Sequence, residues 1–175
     1  MIIAIPKERR QHEKRVAATP ETVKKLISLG FNVIVEKDAG KNSQIPDALY
    51  EEAGASIAAD APSVYANADI IFKVQRPMMN GEGDIDEMSQ IKERSILIAI
   101  LDPTRNPEHV KAYADKNISA FAMEFMPRIT RAQSMDVLSS QSNLAGYCAV
   151  IDAAHEYGRA FPMMMTAAGT VAPAK

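Results

Sequence analysis

The sequence predicts an α/β protein: a doubly wound, parallel, five-stranded sheet of the flavodoxin-like or Rossmann-like kind, followed by one long C-terminal helix. Three observations support this. Five short runs rich in β-branched residues recur at fairly even spacing, helical patterns lie between them, and the runs are almost continuously apolar. Strands of that composition belong to sheets whose two faces are both covered by helices.

The first run is IIAI at residues 2–5, ended by Pro6. The first helix reads TPETVKKLISLG, with Thr19 as N-cap, Pro20 at the first helical position and Gly30 as the stop. FNVIVE at residues 31–36 is the second strand, and the helical patterns IPDALYEEAGA and APSVYANA separate it from the third, DIIFKV at 69–74. DIDEMSQIKE precedes SILIAIL at 95–101, and NPEHVKAYADKN precedes ISAFAME at 118–124. After Glu124 strand alternation stops, and residues from about 136 to 159 read as one helix. Leu144, Cys148 and Ile151 form one apolar row on it and Tyr147, Val150, Ala154 and Tyr157 a second. So broad an apolar face predicts a largely buried helix, with Cys148 as a small buried thiol. The ending FPMMMTAAGTVAPAK has the composition of a connector. The expected division is an α/β lobe over residues 1–135 and a helix with connector over 136–175.

Composition removes several classes of function. The chain has 175 residues, 47% of them hydrophobic and 24% charged, which excludes disorder and fibrous repeats. A formal charge of −2 argues against a nucleic-acid partner, because there is no excess of basic charge to release counterions. One cysteine allows no internal disulfide and points to a reducing compartment. The opening MIIAIPKERRQHEKR places its basic residues after the apolar run, the reverse of a secretory signal. No apolar stretch approaches the ~20 residues that span a bilayer, so the chain itself reads as soluble.

The motifs that carry nucleotide chemistry are missing. GxGxxG does not occur; the nearest approach, Gly81 and Gly83 in NGEGDIDE, has Asp86 in the third position and reads as a surface turn. No histidine pair has metal-ligand spacing: His12 lies in a basic loop, His109 in a helical pattern that reads as exposed, and His155 near the end of the long helix. KERRQHEKR, residues 7–15, follows the first strand at the sheet's carboxyl edge, where doubly wound folds place ligands. Its glutamates Glu8 and Glu13 equally suit a solvated loop of local ion pairs. Lys73 interrupts an apolar strand, so its amine either reaches the strand edge or has a partner. Residues 127–143, PRITRAQSMDVLSSQSN, crowd donors and acceptors into a loop and the start of a helix. One cap, Ser134 or Asp136, would satisfy the helix. The surplus suits either ligand recognition or a solvated loop with polar contacts to another helix.

At these residues the chain resembles a known family. IAIPKERRQHEKRVAATPETVKKLISLGFNVIVEKDAG, KVQRP, and the ending from PRITRAQSMD through LSSQSN, AGY and TAAGT are similar, in register, to proton-translocating NAD(P) transhydrogenases, of the alanine dehydrogenase/transhydrogenase N-terminal domain family, whose alanine dehydrogenases share the opening and the KV strand end but differ elsewhere. The similarity is to the start of the transhydrogenase α subunits and covers essentially the whole chain. It implies the first of two Rossmann-like lobes. The second lobe, with GxGxxG and the main NAD(H) site, would begin beyond Lys175, so the chain reads as a fragment or a split subunit.

The resemblance also implies that Arg128, Gln133, Asp136 and Ser139 form a mobile loop contacting the nicotinamide end of NAD(H), and that no side chain acts as a catalytic acid or base. It further implies NADP(H) on a partner domain, membrane-spanning transhydrogenase components, a homodimer, and a cytoplasmic location peripheral to the inner membrane. The implied enzyme is a proton-translocating NAD(P)+ transhydrogenase, with the isolated chain inactive. Arg15 and Lys73 match positions that hold substrate in alanine dehydrogenases. Asp102, however, stands where those enzymes carry a catalytic histidine, which weighs against an alanine dehydrogenase. The other alternative is a truncated or split, non-catalytic assembly module.

Overall fold

The computed structural model describes residues 1–174. They fall into two units, Met1–Met126 and a second that begins at Pro127. In the first unit the strands are β1 (Ile2–Ile5), β2 (Asn32–Glu36), β3 (Ser56–Ala58), β4 (Ile70–Gln75), β5 (Ile96–Ile100) and β6 (Ser119–Ala122). All pair in parallel, in the order β3-β2-β1-β4-β5-β6. The sheet thus has six strands rather than the expected five. Ser56–Ala58 is three residues long and includes one β-branched side chain, too little to signal a strand, and it holds its place as an edge by pairing with β2. The order is that of dinucleotide-binding sheets rather than the flavodoxin order.

Helices α1 (Pro20–Ser28), α2 (Asp47–Glu52), α3 (Ala61–Tyr65), α4 (Glu87–Gln90) and α5 (Pro107–Asp115) connect the strands. The start of α1 follows from its sequence: Thr19 accepts the Thr22 amide at its hydroxyl, Pro20 needs no partner for a missing N–H, and Gly30 takes φ +91° beyond the end. Successive residues of each strand face opposite sides, so the apolar runs feed two cores. Ile3 and Ile5 pack with Val23, Val33, Val35 and Tyr50 on one face. Ala4, Ile71, Leu97 and Ala99 pack with Val64, Tyr65 and Tyr113 on the other.

The second unit contains α6 (Val137–Glu156) and an antiparallel hairpin of β7 (Met164–Thr166) and β8 (Gly169–Val171). The hairpin occupies the stretch read as a connector. Two further expectations are overturned here. No residue of α6 is buried among the described residues, with Leu144 57% and Tyr147 68% exposed, and Cys148 is exposed as well. Its apolar residues mark a surface suited to burial. A pattern within one helix does not specify what covers it.

Two glycines make the packing testable. A β-carbon on Gly40 would lie 2.6 Å from the Ile45 carbonyl oxygen and 2.9 Å from Tyr50, a fully buried ring. One on Gly146, inside α6, would meet nothing within 4 Å. Gly40→Ala is therefore expected to destabilise the chain by ~1–3 kcal/mol through overpacking, and Gly146→Ala to stabilise α6 by ~0.5–1 kcal/mol through helix propensity. Urea unfolding followed by circular dichroism measures both, and equal effects would contradict the packing described.

Candidate functional site

The strand order reverses between β1 and β4, and the carboxyl ends of those two strands face the crevice where this kind of sheet places ligands. In this chain the crevice floor is filled by its own side chains. The β4–β5 ladder loses register between Phe72 and Gln75. The Val74 amide there donates to Glu8 Oε1 at 2.6 Å, and the Gln75 amide reaches Oε2 at 3.4 Å. The Lys73 ammonium lies 3.0 Å from Glu87 Oε1 and 3.4 Å from Glu8 Oε2, with all three side chains buried. Glu87 also accepts from the Tyr65 hydroxyl and the Met78 amide, each at 2.9 Å.

Of the two readings open for Lys73, the structure thus selects the partnered one. Burial pushes the Glu8 carboxyl up against the opposing pull of Lys73. It raises the Tyr65 hydroxyl still further from its ordinary range, with Glu87 adding to the rise.

At the end of β2, Glu36 accepts the Lys7 amide at 2.9 Å and pairs with the Arg9 guanidinium. An acidic residue there takes ribose hydroxyls in nucleotide-binding sheets. Here it is consumed internally. Arg15 pairs with Glu13 at 2.6 Å, and Gln75 donates to the same carboxylate at 3.0 Å. Chiefly through the Arg15 hydrogen bond, Glu13 is lowered to about 2. Three residues of the basic run 7–15, Arg9, Arg10 and Arg15, thus form internal ion pairs. Lys7, Arg9, Arg10, Asp38, Asp60 and Glu82 contribute to the wall of a cleft of ≈ 990 Å³ beside it.

Sequence reasoning missed one cluster at the β4 end. His109, expected to be exposed, is buried, because α5 turns that face onto the sheet's carboxyl edge. Its Nε2 lies 3.1 Å from Glu82 Oε2, and the same carboxylate takes Arg10 at 2.9 Å and Arg76 at 3.1 Å. Burial lowers the imidazole pKa, and the neighbouring Glu82 opposes that shift. Gly81 and Gly83, read as a surface turn, carry this glutamate, and Gly81 takes φ +89°. The only signal in sequence was an acidic residue in a glycine turn, which does not name partners 72 and 6 residues away.

The candidate residues Arg128, Gln133, Asp136 and Ser139 all lie in the second unit. Arg128 and Gln133 are exposed, and Gln133 opens a short 3₁₀ turn, Gln133–Met135. Asp136 is the N-cap of α6. Its Oδ1 accepts the Leu138 and Ser139 amides at 2.9 and 3.1 Å, and its Oδ2 accepts the Ser139 hydroxyl at 2.6 Å. The Ser139 bonds, aided by the charge of Arg128, lower the carboxyl pKa. Asp136 and Ser139 are thus joined directly, Arg128 acts on them through its charge, and Gln133 stands at the preceding turn. No group of acidic, histidine or cysteine side chains suited to a metal ion occurs among the described residues.

Comparison with known proteins accords with this architecture. The chain is 58% identical over all 175 residues to the first of the polypeptides that make up the NAD(P) transhydrogenase alpha subunit of Rhodospirillum rubrum, and spans 45% of that protein. It is 37% identical over 146 residues to alanine dehydrogenase of Methanococcus maripaludis, covering 83% of this chain and 37% of that one. A crystal structure of a transhydrogenase from Sinorhizobium meliloti superposes with a TM-score of 0.91 at 55% identity, over 99% of this chain and 50% of that one. The chain thus spans about half the length of these transhydrogenase relatives, or less. Residues 4–145 match the family model described as alanine dehydrogenase/PNT, N-terminal domain, and the chain belongs to that family.

Proposed function

We propose that this chain is the N-terminal lobe of the NAD(H)-binding component of an NAD(P) transhydrogenase, and that it aligns NADH for direct hydride transfer to NADP held by a partner domain. The observation that carries the reading is similarity along the whole of this chain, at 58% identity, to a transhydrogenase alpha-subunit polypeptide. The nucleotide, when bound, supplies the hydride. The chain's own residues need only hold and orient it, which fits a molecule whose buried titratable groups at the sheet edge, Lys73, Glu8, Glu87 and Tyr65, are partnered with one another.

The exposed loop before α6 fits the nicotinamide end. Gln133 offers an amide to pair with a carboxamide, Arg128 a cation, and Ser139 a hydroxyl already oriented by Asp136. The first unit's switch point does not fit a pyrophosphate. Glu8 occupies the place of a glycine loop, so the reading assigns the phosphates to a second lobe. An alanine dehydrogenase reading is disfavoured by Asp102, which follows β5 with φ +46° and sits 3.8 Å from Arg105, with no imidazole there. Proton translocation belongs to membrane-spanning components in this reading, since no helix of the described residues is long and apolar enough to cross a membrane. The chain would sit at the cytoplasmic side, peripheral to the inner membrane, as a homodimer. The exposed apolar residues of α6 supply surface for such contacts.

Two measurements test the reading. In the complete enzyme, Gln133→Ala is expected to slow hydride transfer by ~100-fold while NADH affinity stays within a few-fold, because misplacement by ~1 Å affects alignment far more than anchoring. Pre-steady-state transfer and equilibrium binding on the same variant separate the two, and equal losses would make the loop a binding clamp instead. Asp136→Ala is a less clean probe, because it also removes a helix cap at a cost of ~0.5–2 kcal/mol. The second expectation is that the 175-residue chain alone binds NADH weakly or not at all. Micromolar binding by calorimetry would overturn the assignment of the phosphates to another lobe.

A further inference from the structure

The Glu82 carboxylate sits in surroundings built like a receptor for an oxyanion. Arg10, Arg76 and His109 come from the loop after β1, from just beyond β4, and from α5, and their side chains converge on this one group. The Met79 amide adds a fourth donor at 2.7 Å. Arg10 does not depend on Glu82 for its position. Arg10 donates to the carbonyl oxygens of Arg76 and Pro77 at 3.1 and 3.3 Å, which fixes its plane independently. His109 is held in the core with its Nδ1 unpartnered.

Glu82 differs from its partners in being carried on a turn. Gly81 holds φ +89° with open space around it, and the glutamate side chain is 25% exposed at the wall of the ≈ 990 Å³ cleft. Partial burial opposes ionisation of Glu82, yet its bonds to Arg10 and Met79 lower it to about 2, so it is a full anion at neutral pH. Two guanidiniums and a backbone N–H meeting one carboxylate is the donor set that recognises a free carboxylate or phosphate.

We propose that Glu82 is an internal occupant of an oxyanion-binding site formed by Arg10, Arg76 and His109, and that a small carboxylate or phosphate anion entering from the cleft displaces it. Displacement swings the turn that bears Glu82 outward about Gly81 and releases the Met79 amide. The site lies wholly within Met1–Met126 and shares no residue with the nicotinamide loop proposed above, so the failure of either reading leaves the other standing.

The test titrates the full 175-residue chain with inorganic phosphate and, separately, with oxalate, by calorimetry. Glu82→Gln, which keeps the size and removes the charge, is expected to bind at least one of the two anions ten-fold or more tighter than the unaltered chain. Adding Arg76→Gln should abolish that gain, and the anion preferred tells phosphate from carboxylate recognition. In the unaltered chain, saturating anion should speed hydrogen exchange of the Met79 amide several-fold, while the Met88 amide, which donates to the Met78 carbonyl at 3.0 Å, stays protected. Equal binding by the unaltered chain and Glu82→Gln, or a gain that survives Arg76→Gln, overturns the proposal. Should Glu82→Gln fail to fold, Met79 exchange decides alone, and exchange unchanged under both anions overturns it.

Discussion

The buried ion cluster of Lys73 with Glu8 and Glu87 is the constraint on which the carboxyl edge of the sheet depends. Taking an ammonium and two carboxylates out of water carries a desolvation penalty of several kcal/mol per ion, and mutual attraction offsets it only when the remaining hydrogen-bonding positions are also filled. Those of the two carboxylates are filled here: Glu8 by the Val74 amide, and Glu87 by the Tyr65 hydroxyl and the Met78 amide. The cluster therefore joins four segments at one point: the loop after β1, β4, the end of α3 and the start of α4. It also explains the irregular register of β4, since the amide of Val74 is satisfied by a side chain instead of a ladder partner.

That cluster has a consequence for what the fold does. The strand order provides a switch point of the dinucleotide-binding kind, but a ligand crevice needs backbone that can approach a phosphate closely, and glycines make that approach possible. At the end of β1 that place is taken by Glu8, held by the Val74 amide and Lys73. Glu36, at the end of the neighbouring strand, is likewise held by Lys7 and Arg9. Topology alone would put a nucleotide in this crevice, whereas in the proposed reading the strand ends offer partnered carboxylates in place of a glycine loop for a pyrophosphate. The proposed function accordingly draws on residues of the second unit and on a lobe beyond this chain.

Much of the fold was legible because it rests on local signals. The five apolar runs each became a strand, and Thr19, Pro20 and Gly30 bounded α1 as their chemistry requires. The sixth strand was not legible because Ser56–Ala58 is an edge of three residues whose existence depends on β2 beside it. Lys73 announced itself as an anomaly, a cation in an apolar run, but its partners Glu8 and Glu87 are distant in sequence and carried no mark of their own. Glu8 belongs to a loop whose composition also suits solvated ion pairs, and nothing in the pattern DIDEMSQIKE singles out Glu87. His109 was misread for the same reason: α5 is only weakly patterned, and which face meets the sheet is settled by tertiary packing. In α6 the apolar rows predicted a buried helix and the structure leaves them exposed, because burial is a property of the neighbour as much as of the helix.

The candidate loop shows how one residue can satisfy a bland requirement and still serve a specific one. Asp136 is the N-cap that any helix start needs, and both its oxygens are engaged at Leu138 and Ser139. A carboxylate oxygen has more than one lone pair, so capping fixes the group without exhausting it. The rotamer of Asp136 is set by the helix it begins, and Ser139 is set by Asp136, which gives two of the four proposed contacts a rigid base. Arg128 and Gln133 lie upstream on exposed backbone and have no such base among the described residues. In the proposed reading the alignment of a nicotinamide ring then combines a pre-set half, which costs little entropy on binding, with an adjustable half that is ordered only when nucleotide arrives. Replacing a residue of the pre-set half disturbs helix and site together, whereas Gln133 belongs to the adjustable half and reports on alignment alone.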